Sequence, residues 1–152
     1  MLAPYPSSRA QSQLISIFQA FYSDLHVATS SERHLSLLRS MSATLPSSLQ
    51  PTKAQLNTAH YHGIDMIASP SLRDRLLTVS SDVAREFIFE VGFTGGEDLG
   101  QLTIWGDDPL DESSWEFSQP ILERWGWLLG RDWVNRANWW RQQRGAAPLP
   151  EW

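Results

Sequence analysis

The sequence predicts an all-α or nearly all-α fold: a single compact domain of six to seven short helices with at most one minor strand. Three observations carry this. Apolar residues recur at helical spacing in five separate segments. Runs that alternate apolar and polar residues are almost absent. The 152 residues make about one domain, long enough to bury roughly 68–70% of the unfolded surface without staples.

Each element has its own signal. Residues 1–8 are rich in Pro and Ser and read as a flexible N-terminus. From Arg9 to Ala28, the residues Leu14, Ile17, Phe18, Phe21, Tyr22 and Leu25 form one apolar helix face. Ser30 or Ser31 caps a second helix, with Glu32 in its first turn and Leu35, Leu38 and Met41 as its stripe. Leu45 to Pro51 is a loop. Thr52 and Gln55 spell a capping box that opens a short helix to about His60, which Gly63 ends. Ser69 followed by Pro70 starts the next helix, which buries Leu72, Leu76 and Val79. Ser81 or Asp82 caps another, with Val83, Phe87, Ile88 and Val91 facing inward.

Gly92 to Gly100 reads as an acidic, glycine-rich loop, and Leu102 to Trp105 as the one short strand. An acidic turn, Gly106 to Ser114, follows. Ser118 and Pro120 open a helix carrying Ile121, Leu122, Trp125, Leu128 and Leu129, ended by Gly130. The last helix runs from about Asp132 to Arg144, with Trp133, Ala137 and Trp140 on one face. The domain is expected over 9–145, with a tail at 146–152.

Composition excludes several function classes. There is no cysteine, hence no disulfide framework, no thiolate metal site and no thiol catalysis. The net charge is −5, so binding to nucleic acid is not expected. No apolar run has the length of a membrane span, and no signal peptide opens the chain. The expected compartment is the cytoplasm, with the nucleus as the alternative. Phosphate-binding and hydrolase motifs are missing, and the run Gly95 to Gly100 is too acidic to cradle a phosphate, so no cofactor is expected.

All eight tryptophans lie between Trp105 and Trp152. Such density marks an aromatic-heavy core or an aromatic-walled pocket. The pocket reading makes Trp105, Trp115, Trp125, Trp127 and Trp139 walls, with His62 beside them and His60, Arg73, Asp107 and Glu116 as polar anchors and catalytic candidates. His60-x-His62-x-x-Asp65 offers two imidazoles and a carboxylate, but at a spacing tied to no known metal geometry, so no metal is expected. Arg73 reads as an ion pair with Asp74 or as the polar end of a pocket. Glu116, between Trp115 and Phe117, is a desolvated general acid or the partner of an arginine such as Arg141.

These blocks together carry a resemblance. They are His60 with Gly63-Ile64-Asp65, the run Pro70 to Leu76, Ile104 to Pro109, Ser114 to Glu116, Arg124 to Leu129, and Asn138 to Gly145. Over roughly 10–145 the chain resembles DUF3425, a fungal domain of unknown function found C-terminal in bZIP-type transcription factors. Those regulators carry a basic region and a zipper, and this chain has neither, which implies a stand-alone domain. The family pattern has Trp where Gly63 stands and Cys near Phe89, so the resemblance implies open space beside His60 and His62.

Two functions follow as expectations. The first is a small cofactor-free enzyme of fungal specialised metabolism. It would cyclise or isomerise an apolar substrate, a pericyclic step included, in a Trp-lined pocket, with Arg73, His60 and one indole as donors. The alternative is a regulatory or ligand- and protein-interaction module that does not bind DNA. The expected partner is a small apolar molecule, and a homodimer is left open.

Overall fold

The computed structural model describes residues 4–7, 10–93 and 99–151. The fold is mostly helical. Among the described residues are eight α-helices: α1 (Ala10–Ile17), α2 (Gln19–Ser23), α3 (Ser31–Met41), α4 (Lys53–Asn57), α5 (Pro70–Leu76), α6 (Ser81–Val91), α7 (Gln119–Leu129) and α8 (Arg131–Gln143). Two short strands, β1 (Leu102–Ile104) and β2 (Trp115–Phe117), complete it. The Gly92–Gly100 loop falls mostly on 94–98, outside the described residues.

The caps explain the starts. Ser30, Thr52, Ser69, Ser80 and Ser118 each accept a backbone N–H in the first turn of the helix that follows. The cap of α6 is therefore Ser80 rather than Ser81 or Asp82. Thr52 and Gln55 close the expected capping box, but α4 stops at Asn57, because Thr58 is extended. A 3₁₀ turn, His62–Met66, follows, and Gly63 lies inside it. The expected first helix breaks at Phe18 into α1 and α2 and ends at Ser23. Between α7 and α8 stands Gly130, with φ of 85°, ending one helix and starting the next.

β1 and β2 pair antiparallel, with Leu102 opposite Phe117 and Ile104 opposite Trp115. The second strand is an addition to the sequence reading: Trp-Glu-Phe is too short and too fully buried to alternate. Pro6 bridges to Trp105, Ser7 donates to the Ile104 carbonyl and Gly106 to that of Tyr5. The part of the N-terminus within the described residues is thus held along β1. At the other end Leu149 is buried and its N–H donates to Asn138.

One core runs through the domain. Trp115, Phe117, Phe87 and Trp133 fill the space between the strands, α6 and α8. Leu14, Phe18, Leu38, Ile64 and Leu72 fill the other half, under α1, α3 and α5. No helix among the described residues is long and apolar enough to cross a membrane.

Candidate functional site

A buried polar cluster sits where α3, α4, the 62–66 turn and α5 meet. Asp65 is its hub. It is fully buried inside the turn, and such a carboxylate must be paired or protonated. Asp65 Oδ2 lies 2.6 Å from His34 Nε2, and Oδ1 lies 2.6 Å from His60 Nε2. Gln55 Nε2 donates to Oδ1 at 2.9 Å. Burial alone would raise the Asp65 pKa, but the hydrogen bonds and charges of the two imidazoles hold it below the usual carboxylate range. Asp65 is therefore a carboxylate.

The two histidines differ. His60 Nδ1 lies 2.6 Å from the Thr58 carbonyl, while Nε2 faces Asp65. Both partners only accept, so both ring nitrogens carry protons. Burial pulls the His60 pKa down, yet the hydrogen bond and charge of Asp65, with the Thr58 carbonyl, outweigh it and raise it. His34, on α3, has Asp65 at Nε2 and no partner at Nδ1 among the described residues. His34 is only 1% exposed, yet it lines a cleft of about 290 Å³. Asp65 only accepts, so Nε2 holds a proton, and Nδ1 is the nitrogen left for another partner on a ring that borders the cleft.

His60 and His62 also line this cleft, where the family pattern implied open space. His62 packs edge-on to Phe21 and Tyr22. Burial, and then the neighbouring His34, lower its pKa, so it is neutral at pH 7. The third imidazole near the carboxylate is thus His34 and not His62, whose ring is not bonded to Asp65. His34, His60 and Asp65 could act as ligands to one ion, since their ligand atoms lie within 4.8 Å of one another. The two His–Asp contacts are nevertheless at hydrogen-bond length, shorter than the roughly 3.3 Å between ligands around zinc.

Arg73 corrects its expectation. Its fully buried guanidinium donates to Gln55 Oε1 at 2.7 Å and to the carbonyls of Ser48, Ile67 and Gln50 at 2.7, 2.5 and 2.9 Å. It is a scaffold donor, not one that faces a substrate. It does not pair with Asp74, which instead accepts from Thr52 Oγ1. Burial pushes its pKa down to about 10, which still leaves it charged at pH 7.

The other candidates lie elsewhere. Glu116, on β2, accepts from Arg144 with both oxygens, at 2.5 and 2.8 Å, and from the Trp105 indole at 3.1 Å. Its arginine partner is Arg144, not Arg141, whose Nε bonds the Ala147 carbonyl. Asp107 is exposed, and its hydrogen bond to the Tyr5 hydroxyl raises the Tyr5 pKa.

The five tryptophans do not form one wall. Trp115 is buried with its indole bonded to the Pro109 carbonyl, and Trp125 packs on Phe87 with its indole on Glu90. Trp105 stacks on Trp140, while Trp127 and Trp139 are 67% and 52% exposed. Trp139 lines a separate cleft on α8 with Asn138 and Gln142.

His34 and Gln55 escaped the sequence reading. The signal for His34 was its place four residues before Leu38, on the buried face of α3. Gln55 was visible only as a cap residue.

The comparisons with known proteins bear on family alone. The model of a family described as Domain of unknown function (DUF3425) matches residues 29–136. No curated protein and no solved structure matches.

Proposed function

Because the chain belongs to the DUF3425 family, whose description names no function, we propose one from the site itself: a small cofactor-free enzyme that isomerises a small polar substrate by proton transfer in the histidine-lined cleft. The observation that carries this is His34. Its ring is buried, its Nε2 is pinned to Asp65 at 2.6 Å, and its other nitrogen has no partner among the described residues on a ring that lines the cleft.

A carboxylate behind an imidazole does two things. It orients the ring, and it stabilises the imidazolium formed when the ring takes a proton. His34 Nδ1 would take a proton from a carbon next to a carbonyl and return it to another atom of the same substrate. The product is an isomer, with no net gain or loss of electrons. The Asp65–His60 pair is close to neutral, so protonating His34 leaves the cluster with one net positive charge beside the developing anion. A positioned general base contributes about 10²–10⁴-fold.

The substrate in this reading is small and polar, in place of the apolar one expected from a tryptophan pocket. The cleft of about 290 Å³ is bordered by imidazoles and hydroxyls, at the small end of ligand sites.

The test follows exchange of carbon-bound protons in D₂O by NMR, over a panel of 2-oxo acids, 3-oxo acids and hydroxyketones. Wild-type chain is expected to exchange or isomerise at least one of them. His34→Gln should be slower by about 100-fold or more with an unchanged circular dichroism spectrum. Equal rates for both proteins across the panel would refute the reading.

A second reading, a module that docks another protein without binding DNA, has one observation behind it. Trp127 and Trp139 are 67% and 52% exposed, whereas Trp115, Trp125 and Trp133 are buried. It expects Trp139→Ser to abolish capture of a partner while the histidine cleft stays intact.

A further inference from the structure

We infer that the cleft takes its substrate by an anionic oxygen group, a carboxylate or a phosphate, held by Arg85, His60 and the first turns of α3 and α6. This rests on the reading of the cleft as a substrate site and adds its chemical class.

The first argument is charge. The chain has 17 acidic residues against 12 basic ones. Yet the cleft is lined by Arg85, three histidines and the hydroxyl residues Thr29, Ser31 and Ser81, and by no Asp or Glu among the described residues. In an acidic protein such a wall is a local reversal of sign.

The second argument is Arg85 itself. Its guanidinium lies over the Tyr61 ring, 4.7 Å from the centroid. Among the described residues no carboxylate pairs with it, as none pairs with Arg39, Arg131 or Arg141, whereas Arg33, Arg75, Arg124, Arg136 and Arg144 each have one. Stacking on Tyr61 restrains the guanidinium while leaving its N–H edge free for an anion. A doubly protonated His60 adds positive charge to the same wall, offset in part by Asp65 behind it.

The third argument is the backbone. α3 and α6 are 11 residues each, and both turn their first residues, Ser31 and Ser81, to the cleft. Helix N-termini carry unsatisfied N–H groups and partial positive charge. Ser30 and Ser80 each cap one of those N–H groups. Glu32 and Asp82 stand in the same first turns but are exposed and do not line the cleft. The His34 ring, 1% exposed and held to Asp65 at Nε2, borders the same wall. A cation would meet repulsion here, and a neutral ligand would leave Arg85 without a counter-charge.

The experiment titrates the full chain at low ionic strength with sodium pyruvate and, separately, with inorganic phosphate. It is read by calorimetry and by the ring signals of His60 and His62. Saturable binding of at least one anion is expected, weakened about tenfold or more in Arg85→Gln, since a charge-assisted contact is lost. Arg85→Gln should melt with the wild type, because Arg85 is exposed. Arg124→Gln, at another surface arginine, should bind as wild type. Pyruvate alone would assign a carboxylate, phosphate alone a phosphate, and both an oxyanion site without further selection. Absence of saturable binding by both, or equal binding by Arg85→Gln, would overturn the inference. Methylammonium chloride binding as tightly as the anions would do the same. Anion binding without proton exchange on any substrate keeps this inference and removes the enzyme. Exchange on neutral hydroxyketones that is unaffected by Arg85→Gln does the reverse.

Discussion

His34 Nε2 and Asp65 Oδ2 lie 2.6 Å apart with both side chains 1% exposed, joining a helix and a turn 31 residues apart in the chain. Water cannot substitute for either partner. The contact therefore fixes both the packing of α3 on the 62–66 turn and the tautomer of the ring beside the cleft.

Asp65→Ala should be the most damaging single change in the site. It leaves His34, His60 and Gln55 without their shared acceptor. Breaking a buried charged pair costs about 3–5 kcal/mol. Urea unfolding should show that loss. A loss below about 1 kcal/mol would mean that the cluster is solvated.

Arg73→Ala should act on stability and not on chemistry. It strands three carbonyls and Gln55, each costing about 1–3 kcal/mol if left unsatisfied. A fall of at least about 3 kcal/mol is expected, and any surviving folded fraction should bind anions as wild type does. Arg73→Lys should not rescue it, since an ammonium cannot span these acceptors.

Stability should peak near pH 6.5, the ordinary histidine value. The His60 pKa is raised in the fold, so its contribution is complete below 6.5 and is lost as pH rises through the folded value. The His62 pKa is lowered, so its contribution is complete above 6.5 and is lost as pH falls through the folded value. Asp65, also lowered, weakens the fold only as pH falls below 3.8 toward its folded value. Melting curves across pH should show His60→Gln flattening the alkaline limb and His62→Phe flattening the limb just below the peak. A His60→Gln profile parallel to wild type would contradict this.

Much of the fold was legible because its signals are local. Capping residues, Pro70 at a first turn and apolar spacing in α3, α5, α6, α7 and α8 all act within one or two turns of backbone. β2 was not legible, since its three residues are all buried and only the ladder to β1 identifies them. The site was half legible. His60, Asp65 and Arg73 stood out by type and by proximity in sequence, but their roles depend on His34 and Ser48, brought in from distant segments. The tryptophans misled for the opposite reason: although clustered in sequence, they lie on β2, just past β1 and on two helices, facing different neighbours.

Tryptophan quenching should follow this dispersal. Among the described residues Trp127 and Trp139 are the exposed tryptophans, while Trp115 and Trp133 are 0% and 1% exposed. Trp127→Phe with Trp139→Phe should remove most of the fluorescence that acrylamide quenches, and leave a blue-shifted emission from buried indoles. Unchanged quenching would show that the buried tryptophans are reached by solvent.

The most direct test of the account is nitrogen-15 NMR of the histidine rings near neutral pH, assigned with His34→Gln and His60→Gln. The account predicts that both His60 ring nitrogens resonate as protonated imidazolium nitrogens. It predicts that His34 carries a proton on Nε2, where Asp65 accepts it. Adding the anion that binds should move the His34 Nδ1 signal first. A His34 ring protonated at Nδ1 and bare at Nε2 would contradict it, because Asp65 would then not be setting the tautomer and no base would face the cleft.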